Sequence, residues 1–310
     1  MKHYVLYVGL ALAAACAGTG VSAQPASRSA DTQPASRTTD AQPASRTTDA
    51  QPASRTADSQ PASKADGVHV DNPSIWRKLI PAEQLERTAS EQYHQMTAGA
   101  RSKGALAPDN HPQVIRLRAI ADRIIKHAPR FNPQAASWKW EVNLIGSKQI
   151  NAFCMPGGKI VFYTGILDNL RLTDDEVAVV MGHEVAHALR EHARERLAKN
   201  GITRFGTAIL GAAISGGKYA ELIHHAGGLA TLKFSRDNET DADVVGLDLA
   251  ARAGFDPRAG VSLWQKMTSA SKNAPPQFLS THPTGPNRIR EIERHLPQVM
   301  PLYERSRKAG

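Results

Sequence analysis

The sequence predicts an α+β fold, mainly helical, with one small three-stranded sheet. Two observations carry this. Three short runs rich in β-branched and aromatic residues cluster between residues 138 and 165, and helical-period segments lie on both sides of them. The 310-residue chain is 41% hydrophobic and 22% charged, ordinary for a globular protein. That composition is not spread evenly along the chain.

Residues 1–23 read as an export signal. Lys2 precedes the apolar run "YVLYVGLALAAA", which is too short to remain as a membrane span. Two endings compete. Val21–Ala23 has the small-x-small form that precedes cleavage by signal peptidase I. Ala13–Cys16 resembles a lipobox, in which Cys16 becomes an acylated N-terminus. Leu12 stands one place earlier than a lipobox leucine should. Either ending sends the protein out of the cytoplasm. The second cysteine, Cys154, reads as a small buried apolar residue, so no disulfide scaffold is expected.

Residues 24–67 form an array of nonapeptides of the type "QPASRTTDA". The array has no aromatic or large aliphatic side chain, so it cannot bury enough apolar surface to offset ordering, and it reads as a disordered tether. A chain of that length spans roughly 40 Å. Its arginines and Lys64 are matched by Asp31, Asp40, Asp49, Asp58 and Asp66. The net charge of +9 therefore resides in Lys2 and residues 68–310. A basic domain could favour anionic membranes or acidic clients, while the usual reading of such a balance is a mixed solvated surface. No aromatic-plus-basic motif supports nucleic-acid binding.

Residues 68–310 hold the folded domain. Helices are expected over 81–96 and 111–128; in the latter Val114, Leu117, Ala121, Ile124 and Ala128 recur at helical spacing, and Pro129 ends it. The strands are "WKWEVNLI", "QINAFCM" and "KIVFYTG", the last two joined by a turn at Pro156–Gly158. Thr173 with Glu176 is a capping-box signature. The helix it opens should run to about Asn200 and stop at Gly201. Residues 202–232 are apolar and glycine-rich, but Arg204, Lys218 and Glu221 break the run, so two short helices with a mobile connection are expected. Further helices should cover Asp237–Gly254 and 257–270. "STHPTGPNRIREIERHLP" reads as a loop followed by a helix.

The chemistry lies in "VVMGHEVAHALREHARE". Residues four apart share a helix face, so His183 and His187 can point imidazole nitrogens at one ion, and neutral imidazole suits zinc. Glu184 would lie beside that ion and take a proton from a water whose pKa the metal lowers to about 7. A catalytic zinc needs a third protein ligand. "SRDNETDADVVG" offers Glu239 as that ligand, and Asp243, four residues on, to accept the outer N–H of a ligand histidine. His192 lies about half a turn round the same helix from His183 and should face away. His224 and His225 read as surface or packing residues.

Four ordered stretches, "INAFCMPGGKIVFYTGIL", "LTDDEVAVVMGHEVAHALREH", "SRDNETDADVVG" and "STHPTGPNRI", resemble the HtpX-related zinc endopeptidases. This gluzincin family includes the CAAX prenyl proteases. The branch most similar is the periplasmic lipoprotein type typified by LoiP, with the BepA type more distant. The resemblance covers roughly residues 80–300 and excludes the array. It implies a zincin-type metallopeptidase domain whose edge strand borders the active-site helix. One Zn2+ per chain would be held by His183, His187 and Glu239, with Glu184 as catalytic base and Asp243 in support. Asn151, Ala152 and Phe153 match the strand along which substrate is laid. His282 matches a histidine that can approach the zinc at rest, acting in gating or in the transition state; a loop-capping role is the alternative. Arg288 matches a downstream arginine. The implied substrates are misfolded or misassembled cell-envelope proteins, met in the periplasm by a domain tethered to the outer membrane. A metal-stabilised chaperone-like module and a surface adhesin displayed by the array are the competing readings.

Overall fold

Period-2 alternation in the three strands sorts the core into two clusters, one on each face of the sheet. The computed structural model describes residues 66–215, 228–271, 276–282 and 288–309. The export signal with Cys16, the array up to residue 65, His224, His225 and residues 283–287 lie outside the described residues.

Strand β1 is Glu141–Ile145, β2 is Ala152–Met155 and β3 is Lys159–Tyr163. The order is β1-β3-β2, with β1 parallel and β2 antiparallel to the central β3. Val142, Leu144, Ala152, Ile160 and Phe162 enter the larger cluster, and Phe153, Met155 and Val161 the smaller. The outer edge of β1 is covered by residues 105–107, through Ala107 N–H to Leu144 O at 3.0 Å and Gly146 N–H to Ala105 O at 2.7 Å. Strand β2 forms the other edge. Tyr163 N–H donates to Asn151 O at 3.2 Å. By alternation, this turns the backbone groups of Ala152 and Cys154 away from β3, toward that outer edge.

Helix α1 (Ala82–Ser102) packs on the smaller cluster and α2 (Pro112–Ile125) on the larger. Both match expected segments, with α1 running further. In α2 the α-helix ends at Ile125, and Pro129 falls in a separate 3-10 turn, Ala128–Arg130. After α3 (Thr164–Leu170) comes α4 (Asp174–Leu189). Its N-terminus is fixed by the expected capping box: the Thr173 hydroxyl accepts from Glu176 N–H, and the Glu176 carboxylate accepts from Thr173 N–H at 2.9 Å. Every residue of α4 from Glu176 to Leu189 is buried, which makes it the central helix.

The expected stop at Gly201 is wrong. The helix breaks at Arg190–Glu191, where Glu191 adopts φ 57°, and restarts as α5 (His192–Ser215), which passes through Gly201. A helix-interior glycine costs about 1 kcal/mol relative to alanine and does not by itself end a helix. The break is held instead by ion pairs of Glu191 with Arg77, at 3.0 Å, and with Arg194. The two short helices expected for 202–232 are also corrected at their start, because α5 continues unbroken to Ser215.

Helix α6 is Arg236–Arg252, α7 Ala259–Ala270, α8 Gln277–Thr281 and α9 Arg288–Ala309. Helices α4 and α6 cross backbone to backbone. A Cβ on Gly182 would lie 2.6 Å from the Gly246 carbonyl oxygen, and one on Gly246 would lie 2.7 Å from His183 N. The first described residues are fastened to α6. Val68 N–H donates to the Asp248 carboxylate at 3.0 Å, the Asp66 carbonyl accepts from Arg252 at 2.6 Å, and the Asp66 carboxylate pairs with Arg252 and Arg305. Gly67 permits this close approach, since a Cβ there would meet the Asp248 carboxylate at 2.1 Å. Among the described residues no helix is long and apolar enough to cross a membrane.

Candidate metal centre

Helix α4 presents His183 and His187 on the face that crosses α6, and α6 returns Glu239 and Asp243 from one face of its own. The residue after α8, His282, completes the group. His183, His187, Glu239 and His282 each offer a donor atom, and all four donors lie within 4.8 Å of one another. All four residues are 2–3% exposed.

The donor separations have the size that one ion requires. A tetrahedron with bonds near 2.0–2.1 Å has edges of roughly 3.4 Å. His183 Nε2 is 3.1 Å from His187 Nε2, 3.3 Å from His282 Nδ1 and 3.5 Å from Glu239 Oε2. Glu239 Oε1 is 3.5 Å from His187 Nε2 and 3.1 Å from His282 Nδ1. Two imidazoles, a carboxylate and a third imidazole at these spacings fit a single zinc ion.

Outer partners orient the set. His183 Nδ1 meets Asp243 Oδ1 at 2.9 Å, which leaves Nε2 toward the cluster. Arg288 spans both carboxylates of α6, from Nη1 to Glu239 Oε2 at 2.7 Å and from Nε to Asp243 Oδ2 at 2.7 Å. Its guanidinium also lies 3.8 Å over the Trp264 ring. Burial opposes charge on Glu239, but the surrounding histidines outweigh it and hold the carboxyl well below the usual range. For His183, burial is likewise outweighed by Asp243 and Glu239, which raise its pKa to about 9. Burial drives His187 well below the usual value, toward the neutral imidazole that a metal needs.

Glu184 sits beside the cluster, 2% exposed, with Oε1 3.5 Å from His282 Nε2 and no hydrogen-bond partner on that oxygen among the described residues. Burial pushes its carboxyl up, the direction that suits a group taking a proton near neutral pH. Strand β2 packs against α4. Ala152 and Phe153 lie in it, with Asn151 just before it. Asn151 is 5% exposed, and its Oδ1 is buried without a partner among the described residues.

His192 does not face away. The break at Arg190–Glu191 swings it back, so that its Nδ1 lies 3.0 Å from His187 Nδ1. The half-turn estimate assumed an unbroken helix. Sequence reasoning also missed Phe234, stacked on His187 at 3.9 Å, and Phe278, stacked on His282 at 4.4 Å. Neither carries a local signal: Phe234 stands in the connection just before α6, and Phe278 lies in α8, a helix of five residues too short to show a period.

Residues 113–296 match the sequence profile of peptidase family M48. The chain belongs to that family. M48 is a family of zinc metallopeptidases, which agrees with the donor set of His183, His187, Glu239 and His282. Mitochondrial metalloendopeptidase OMA1 of Schizosaccharomyces pombe is 34% identical over 207 residues, 65% of this chain and 58% of that protein. OMA1 of Arabidopsis thaliana is 40% identical over 150 residues, 48% of this chain and 30% of that protein. The Beta-barrel assembly-enhancing protease of Escherichia coli K12 is 26% identical over 203 residues, 61% of this chain and 40% of that protein. The chain thus spans about a third to somewhat over half of these M48 relatives. The resemblance to HtpX-related enzymes is met at the level of the M48 family.

Proposed function

We propose that the protein is a zinc-dependent endopeptidase that hydrolyses misfolded or misassembled cell-envelope proteins. The observation that carries this is the four-donor set at tetrahedral spacing, with the partnerless carboxylate oxygen of Glu184 beside it. His183, His187 and Glu239 are the ligands. When bound, zinc supplies a polarised scissile carbonyl and an acidified water. Glu184 would take the proton of the attacking water and hand it to the departing amine as the scissile C–N bond breaks. Asp243 holds His183 in the ligating tautomer, and Arg288 keeps both α6 carboxylates in place. The edge of β2, with Asn151, Ala152 and Phe153, receives an extended peptide through backbone hydrogen bonds, which tolerates varied side chains.

His282 stands where a catalytic zinc keeps an open position. It is a gate: substrate entry requires it to leave. The envelope assignment draws on the export signal read from residues 1–23 and on the relative named for β-barrel assembly. Acylation at Cys16 would anchor the chain to the outer membrane from its periplasmic side. A mass measurement of the mature N-terminus distinguishes that from cleavage after Ala23.

A closed four-donor set is also what a structural zinc has, and this favours a second reading: a metal-stabilised chaperone-like or adaptor module. One comparison separates the two. The purified chain and Glu184→Gln are assayed for bound zinc and for cleavage of an unfolded protein such as casein. About one zinc per chain in both, with cleavage by the parent alone, establishes the peptidase. Zinc in both with no cleavage, even after His282→Ala, leaves the chaperone-like module. No zinc overturns both readings.

A further inference from the structure

The chemistry above makes no use of His192, yet this residue is 4% exposed and lies against a metal-binding histidine. Its Nδ1 is 3.0 Å from His187 Nδ1, and its Nε2 is 3.0 Å from Asp241 Oδ2. Asp241 also accepts from Arg190 Nε at 2.6 Å, and Arg190 in turn donates to the Asp71 carbonyl. On an unbroken helix a residue five positions on would sit about 140° round and about 7.5 Å along the axis. The left-handed turn at Glu191 is what brings the two imidazoles together.

With both rings neutral, the form in which imidazole binds a metal, the hydrogens in this chain of contacts follow by elimination. A carboxylate only accepts, so the hydrogen between His192 and Asp241 is on His192 Nε2. In a neutral imidazole the other nitrogen is then an acceptor, so His192 Nδ1 carries a lone pair. The hydrogen between the two rings therefore belongs to His187 Nδ1. That leaves the lone pair of His187 on Nε2, the atom 3.1 Å from His183 Nε2 and 3.5 Å from Glu239 Oε1.

We propose that His192 is a positioning residue: backed by Asp241 and Arg190, it fixes His187 in the tautomer and orientation that binds the metal. This rests on the zinc reading given above. The two ligand histidines are then braced in parallel. Each ends on a carboxylate of α6 that is itself held by an arginine: Asp243 with Arg288 for His183, and Asp241 with Arg190 for His187. They differ in that His187 reaches its carboxylate through an intervening imidazole.

The test is zinc affinity, measured by competition with a chromophoric chelator on the full chain, with the thermal midpoint as a check on folding. His192→Ala removes the acceptor and is expected to weaken zinc binding about 10- to 100-fold. His192→Asn places a carbonyl oxygen where Nδ1 stood and is expected to stay within about 3-fold of the parent. His192→Gln, similar in polarity, reaches past that point and should behave like alanine. Should the alanine variant fail to fold, the asparagine–glutamine pair decides. Parental affinity in His192→Ala or His192→Gln overturns the proposal. So does equal weakening in His192→Asn and His192→Gln, which would assign the effect to packing against Phe234. A parent chain that binds no zinc overturns the zinc reading itself, and this inference with it.

Discussion

Gly182 and Gly246 meet backbone to backbone directly beneath the metal centre, with a Cβ on Gly246 falling 2.7 Å from His183 N and 2.9 Å from His183 Cα. This crossing sets the distance between the two helices that supply the donors. Glycine-to-alanine in a helix interior normally stabilises by about 0.5–1 kcal/mol. Here the opposing atoms are backbone and cannot rotate aside. Gly246→Ala is expected to destabilise by about 1–3 kcal/mol and to weaken zinc binding. Calorimetry and chelator competition check this; an unchanged or raised midpoint would show that the crossing can open.

Arg288 compensates two buried carboxylates at once. Arg288→Met leaves Glu239 and Asp243 without that charge, at an expected cost of about 3–5 kcal/mol in the zinc-free protein. Zinc should restore part of it, so the gap in thermal midpoint between zinc-loaded and chelated protein should widen. Arg288→Lys should rescue little, because a lysine has neither the planar fork nor the stack on Trp264. Full rescue by lysine would reduce the role to bare charge.

Glu176 ties α4 to α7. It is 2% exposed and accepts from Lys266 Nζ at 2.6 Å, Ser262 Oγ at 2.7 Å and Thr173 N–H at 2.9 Å. Burial raises its carboxyl pKa, but these donors outweigh it and hold the group below its ordinary 4.5. A depressed folded pKa contributes stability above the unfolded value and loses it as pH falls through the folded one. Glu176→Gln should therefore cost about 1–2 kcal/mol at pH 7, with the difference shrinking only below pH 4.5. A difference that fades already between pH 8 and 5 would contradict this assignment.

His282 occupies the fourth donor position while its Nε2 lies 3.5 Å from Glu184. His282→Ala leaves three ligands and an open position. Zinc should be retained by the three remaining donors, and casein cleavage should rise above the parent rate. A fall in kcat with KM unchanged would instead give His282 a transition-state role.

The parts of the site legible in the sequence were those encoded at helical spacing. His183 and His187 lie four apart, as do Glu239 and Asp243, so each pair shares a face wherever its helix goes. The capping box at Thr173 and Glu176 and the three strands were equally local. What could not be read depends on residues far apart in the chain. The break before His192 is held by Glu191 pairing with the distant Arg77 as well as with Arg194, an i,i+3 pair that an unbroken helix would equally allow, so nothing in "LREHARE" marks it. Gly201 looked like a stop because glycine commonly ends helices, yet here the chain continues. The central place of β3 depends on β1 pairing with it in parallel rather than with β2, and which strand edge stays open among the described residues depends on residues 105–107 covering β1.

The clamp of Asp66, Gly67 and Val68 onto Asp248 and Arg252 has a mechanical consequence. A pull applied upstream of residue 66 enters the domain through α6, the helix that also carries Glu239, Asp241 and Asp243, and in part through Arg130 and through Arg305 on α9. Load and metal ligation therefore share one rod. Its fastening at Asp248 and Arg252 lies about 2.5 to 3.6 turns along that helix from Glu239, so the load is spread over several ion pairs before it reaches the donors.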